Sequence, residues 1–322
     1  MIGRLPLWTT LVPLALGVLV WGLLWRSYAA DFRSDLGRLL PAGTEIEVGG
    51  FPYRLEADVA PLQVVHADAA LRARLEAGTL QVNRVPWQRD RQVLNLAGST
   101  AELGFTPLDG ATVLVKADEA QASLRIQDER IARLSAVWEA PAIETGLIAL
   151  PIQADRLEAH FRETPSEAGS TSSPRPATQA QLVLAGRGVR LGDGAPLTLA
   201  LSAELTAAAP LAGYAAWASG GTVEIRSATL ADSTGEVARM SATLVPDGAG
   251  ALRIAGTIET VCPATVRAAL AGLPPVSEKR VRQAELIAFS GRLPGGVTAD
   301  TRDPSRPPAP VRGQEPPCPR LR

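Results

Sequence analysis

The chain has 322 residues, 46% of them hydrophobic, and a net charge of −1. That balance excludes the broad basic field by which proteins bind nucleic acid, and it excludes a mainly disordered chain. The 30 arginines against 2 lysines read as codon usage in a GC-rich genome rather than as an arginine-based site.

A short flank, residues 1–4, precedes an uncharged apolar run of 21 residues, Leu5–Trp25, closed by Arg26. As a helix it would reach roughly 31 Å, about the thickness of a bilayer core. The run is longer than the apolar region of a cleaved signal peptide, and Trp21, Trp25 and Tyr28 have the character of an interfacial belt. Tyr28-Ala29-Ala30 is nonetheless a passable cleavage site, so a retained signal anchor over residues 5–25 stands against a removed leader. Pro6 falls in the first turn, and a membrane helix tolerates Pro13. Counted on Arg and Lys alone, Arg26, Arg33 and Arg38 favour a cytoplasmic location for the large domain behind the run.

Residues 26–43 form a juxtamembrane segment in which Phe32, Leu36, Leu39 and Leu40 recur at helical spacing before Pro41-Ala42-Gly43 ends the pattern. From Thr44 the period changes to 2. Tyr53, Leu55, Ala57 and Val59 alternate with charged residues, as do later sets such as Leu94/Leu96, Ala122/Leu124/Ile126, Leu134/Ala136/Trp138 and Leu157/Ala159/Phe161. Each set puts its apolar members on one strand face, the pattern of antiparallel sheet with one dry side. Residues 44–162 are therefore a β-rich half. Residues 163–179, rich in Ser, Pro and Gly, read as a flexible linker or a long exposed loop.

A second β-rich half covers 180–291. Leu182 and Leu184 lead to a turn at Gly186-Arg187-Gly188, and Leu197 to Leu205 alternate again. A short helix is expected over Pro210–Ser219, and a hairpin pairs Met240-Ala242-Leu244 with Leu252–Ile258 through Pro246–Gly250. Helices are expected over Pro263–Leu273 and Val276–Ser290, the latter with Val281, Leu286 and Phe289 as its packing stripe and Gly291 as its end. The tail, 292–322, carries seven prolines between Arg302 and Arg322 and reads as disordered. Its Cys318 either pairs with Cys262 or both remain lone thiols.

The fold class expected is thus mostly β: an N-terminal transmembrane helix, then a large curved antiparallel sheet with a few short helices. No motif selects chemistry. His66 and His160 lack metal-ligand spacing, and Gly186-x-Gly188 is followed by Gly192 one residue too late for a dinucleotide turn. Glu102, Asp118, Glu119 and Glu204 are explained by solvated strand faces. No catalytic, cofactor or metal residue is assigned, no cofactor is expected, and the chain is read as a non-enzyme.

The segments Gly49-Gly50-Phe51-Pro52-Tyr53-Arg54-Leu55 and Trp217-Ala218-Ser219-Gly220-Gly221-Thr222-Val223-Glu224-Ile225, in this order behind an apolar anchor, resemble domain-of-unknown-function family 2125 of Gram-negative bacteria. The resemblance implies an inner-membrane anchor at residues 5–25 and a single-pass protein with its bulk in the periplasm, and it implies no activity. By architecture alone the pattern is also similar to AsmA-type envelope proteins, which implies lipid handling. The partners so implied are the inner membrane, a lipid ligand and other envelope proteins, with a structural scaffold in envelope biogenesis as the alternative. The physical reading of Gly50-Phe51-Pro52 is a turn, a core plug at Phe51 and a strand start at Pro52.

Overall fold

The computed structural model describes residues 8–108, 111–128, 130–146, 148–164, 177–207, 214–248, 250–299 and 315–322. With no helix breaker between Pro13 and Pro41, anchor and juxtamembrane segment form one helix, α1 (Trp8–Leu39), 32 residues long. Its two halves meet different surroundings. Leu11, Val12, Leu14, Leu16, Val18, Leu19, Val20, Leu23 and Leu24 lie on every side of the helix and are 46–64% exposed. A helix that is apolar all round and covered by no protein has the length and composition to cross a membrane. Past Trp25 the helix joins the domain: Phe32 and Leu36 are buried in a cluster with Leu55, Ala57, Val59, Leu62, Leu80 and Val82. Leu39, expected on that stripe, is 67% exposed.

The remainder is one antiparallel sheet in which most successive strands pair. Its first edge holds β1 (Glu47–Gly49), β2 (Leu55–Val59) and β3 (Leu62–Ala67), followed by the long β4 (Leu71–Arg84), β5 (Arg91–Phe105) and β6 (Ala111–Gln127). β2 and β3 both lie along β4, one behind the other. The same device recurs: β7 (Arg130–Glu139) and β8 (Ala142–Thr145) share the flank of β6, and β9 (Ile148–Gln153) and β10 (Arg156–Glu163) share the flank of β11 (Ala177–Leu191). These breaks align. Ala60-Pro61, Gly78, Gly98, Ala140-Pro141, Ala154-Asp155 and Gly188 face one another across successive strands, so a single irregular line crosses the sheet.

The sheet continues through β12 (Leu197–Ala207), the short helix α2 (Tyr214–Ala218), β13 (Thr222–Asp232), β14 (Gly235–Pro246) and β15 (Leu252–Thr260). Helix α3 (Pro263–Leu270), β16 (Glu285–Leu293) and β17 (Val297–Ala299) complete it.

Three expectations are corrected, and a fourth is placed in the sheet. First, Val276–Ser290 is not a helix: Ile287 and Phe289 are buried, Leu286 is 66% exposed, and the segment's second half is β16, satisfying the free edge of β15 over nine residue pairs. Gly291 lies inside that strand. Secondly, Gly186–Gly188 is no hairpin turn but the point where β11 crosses the irregular line. At the expected linker or loop of 163–179, Glu163 pairs with Ala180 between β10 and β11, so the sheet runs on across it; residues 165–176 themselves lie outside the described residues. Thirdly, the tail 292–322 is ordered at both ends: Arg292 and Leu293 are in β16, and Cys318 forms a disulfide with Cys262. Ala195 donates to the carbonyl of Arg320, Cys318 donates to that of Glu278, and Leu321 packs on a second buried cluster of Ile254, Ile258, Val266, Ile287 and Phe289. Residues 300–314 lie outside the described residues.

Candidate functional site

The alternation along the strands, combined with the register between them, assembles the apolar residues into parallel rows across one face. One row runs Leu96, Ala120, Trp138, Leu157, Gly186, Leu199, Leu230. The next runs Leu94, Ala122, Ala136, Ala159, Leu184, Leu201, Ala228, and a third runs Leu124, Leu134, Phe161, Leu182, Ala203. At the start of these rows the helix α1 cluster covers the sheet, with Leu94 and Leu96 at its margin. At their end α3, β17 and Leu321 cover Ile225, Met240 and the second cluster. Between the two, neither cluster reaches among the described residues: Leu124, Leu134, Trp138, Leu157, Phe161, Leu182, Leu184, Leu199 and Leu201 are all half-buried, and none belongs to either cluster. From β5 to β13 there are six strand steps, so the rows span roughly 29 Å.

The opposite face is polar. Where the irregular line crosses β4–β10 it holds a cavity of about 650 Å³, lined in part by Gln81, Asn95, Gln121, Glu119, Glu139 and Arg156. The amides form a ladder: Asn95 Nδ2 donates to Gln81 Oε1 at 3.3 Å, and Gln121 Nε2 to Asn95 Oδ1 at 2.9 Å. Arg156 donates to Glu158 at 2.8 Å and pairs with Glu139. The bond from Arg156 holds the Glu158 carboxyl below the usual range, and the same bond raises the arginine. Arg156 thus bridges the two carboxylates Glu139 and Glu158 at the edge of the hollow.

The individual histidines and carboxylates are dispersed. His66 is exposed, 3.3 Å from Asp68, and His160 lies 3.8 Å from Glu158. Glu204 receives a 2.8 Å bond from Arg226, which lowers its pKa, and Glu102 lines a separate surface hollow. Among the described residues no three His, Cys, Asp or Glu side chains converge on a metal-sized site.

The two sequence motifs now have physical roles. In the first, Gly50 has φ +92°, and a Cβ there would lie 2.7 Å from the Arg54 carbonyl, so only glycine permits this tight loop. The expected core plug is corrected: Phe51 is 51% exposed and stacks edge-on to Trp25 at 5.5 Å, and β2 starts at Leu55 rather than Pro52. The loop is drawn to α1 instead, where Trp21 Nε1 donates to the Pro52 carbonyl at 3.0 Å and Trp25 Nε1 to that of Arg54 at 3.1 Å. In the second motif, Gly221 lies under the buried Trp217, so close that a Cβ would meet the indole at 2.2 Å.

These features define a class: a β-rich protein with one candidate membrane helix whose far half is part of the domain core. The family model described as an uncharacterized protein conserved in bacteria (DUF2125) matches residues 39–301, and the chain belongs to that family. No curated protein and no solved structure matches the chain. The likeness to AsmA-type proteins has no match behind it and carries no argument.

Proposed function

We propose that this is a non-enzymatic, single-pass inner-membrane protein whose sheet lies in the periplasm and holds the acyl part of a lipid along its uncovered apolar rows. The observation that carries the reading is the run of half-buried Leu, Trp and Phe side chains between two covered ends. A half-buried apolar run of this extent supports a ligand or partner site. Its length of roughly 29 Å exceeds the ~15 Å of one bilayer leaflet, so an acyl chain fits along it. Leu and Ala dominate the rows, which suits a flexible alkyl chain better than a flat polar ligand.

The Cys262–Cys318 disulfide supports an oxidising compartment. The arginine count after α1's apolar run argues the other way, but two of the three arginines have structural partners: Arg33 donates to the Ile46 carbonyl and Arg38 pairs with Asp35. Native mass spectrometry after gentle detergent extraction tests the reading. Stoichiometric phospholipid on the wild-type chain is expected; a lipid-free chain would refute it. A reporter fused behind residue 322 should be active only in the periplasm.

A further inference from the structure

The end of the sheet from which the bare half of α1 projects carries three exposed aromatic residues: Phe51 at 51%, Tyr53 at 73% and Trp87 at 62%. Phe51 and Tyr53 are in the loop before β2, and Trp87 is at the turn after β4. Leu55 and Arg84 face each other in register, so loop and turn occupy the same end.

Both are fastened to the helix between Trp21 and Asp35, where its bare segment ends. The loop is closed by Arg54 N–H donating to the Gly50 carbonyl at 3.1 Å, and it is held by the indoles of Trp21 and Trp25. The turn is closed by Gln88 N–H to the Val85 carbonyl at 3.1 Å. It is held by Arg89, 3.0 Å from Asp31 and 5.8 Å from the centre of the Tyr28 ring. Arg84, buried at the base of the turn, lies 4.4 Å over Phe32 and 3.2 Å from Asp35.

We infer that Phe51, Tyr53 and Trp87 form a second contact with the bilayer, seating this end of the sheet in the headgroup layer beside the anchor. The inference rests on α1 being the membrane span. If the helix up to Val20 fills the hydrocarbon, Trp21 and Trp25 lie at its boundary, and a loop bonded to both indoles sits at that depth. Tyr53 and Trp87 have the polar edges that favour this layer, and Phe51 adds apolar surface beside them. A bilayer rather than a protein is the occupant because the span's own geometry brings lipid to this end. The apolar row nearest this end is Leu124, Leu134, Phe161 and Leu182, so the seating brings the open face down to the membrane surface.

The test uses the full chain in vesicles of phosphatidylethanolamine and phosphatidylglycerol, with the native disulfide oxidised. An environment-sensitive fluorophore is placed in turn on Tyr53→Cys, Trp87→Cys, Val18→Cys in the bare helix, and Ser233→Cys at the opposite end of the sheet. Lipids carrying a nitroxide near the headgroup are the quencher. Labels at 53 and 87 should show a blue shift and several-fold stronger quenching than the label at 233. Quenching at 18 with none at 53 and 87 would overturn the second contact while leaving the anchor intact. Loss of quenching at 18 as well would overturn the anchoring itself. Because positions 53 and 87 are exposed, these variants leave the core unchanged, and retention of the disulfide checks their folding.

Discussion

Phe32→Ala removes the side chain that makes α1 part of the domain. Phe32 is 0% exposed, packed among Leu55, Val59 and Val82, with Arg84 over its ring at 4.4 Å. A buried Phe→Ala change costs roughly 3–5 kcal/mol, and a desolvated cation–π contact is worth about 2, partly counted in that figure. A loss of about 4–5 kcal/mol is therefore expected, a large share of a typical domain's 5–15. The side chain of Arg84, only 4% exposed, also loses the ring beneath it. Urea unfolding of the full chain in detergent, followed by tryptophan fluorescence, reads the loss. Limited proteolysis between Leu40 and Glu47 reads the release of the helix. Leu16→Ala, at a site 58% exposed in the bare half, is the control and should shift stability by less than about 0.5 kcal/mol in detergent. A cost below about 1 kcal/mol for Phe32→Ala would refute the claim that α1 is built into the core.

Other consequences are open to direct measurement. Burial pushes the Asp232 carboxyl up, but bonds from Thr234 and Arg280 outweigh it and hold its pKa below the usual carboxylate value. A depressed folded pKa means its contribution is complete above about pH 4 and is lost as pH falls through the folded value. Asp232→Asn should therefore cost about 2 kcal/mol at pH 7, by loss of the 2.6 Å pair with Arg280, and flatten the acid limb of a stability–pH profile. Cys318→Ser opens a closure between residues 56 apart and should lower stability by about 4 kcal/mol on the chain-entropy estimate. Thermal melts of wild type with and without reductant should show the same loss, and the variant should not respond to reductant. Gly221→Ala, forced against Trp217, should cost about 2 kcal/mol and change the near-ultraviolet dichroism of that indole.

Much of this architecture is legible in the local pattern. Period-2 alternation locates most strands, and the Pro246–Gly250 hairpin has the expected pairs Met240 with Ile258 and Leu244 with Ile254. The failures share one cause: the deciding contact is remote in sequence. Nothing within Val276–Ser290 reveals that β15 offers a free edge for Ile287 and Phe289. Phe51 looks like a core residue until Trp21 and Trp25, about thirty positions earlier, claim the loop's carbonyls. The Pro-rich tail lacks periodicity, yet Cys318 and Leu321 dock because α3 and the β11–β12 loop are already in place. The aligned breaks that cross the sheet exist only in the register between strands. The apolar rows are readable strand by strand, but alternation identifies a dry face without saying what covers it.

The central claim is that lipid occupies the face left uncovered between α1 and α3, and site-specific photo-crosslinking in native membranes tests it most directly. Leu184 points onto the apolar rows, while its neighbour Val183, 43% exposed, points to the polar face. A photoreactive residue at 184, and likewise at Leu157, should yield phospholipid adducts detectable by mass, and one at 183 should not. Absence of adducts at 184 and 157, or equal yields at 183 and 184, would contradict the account.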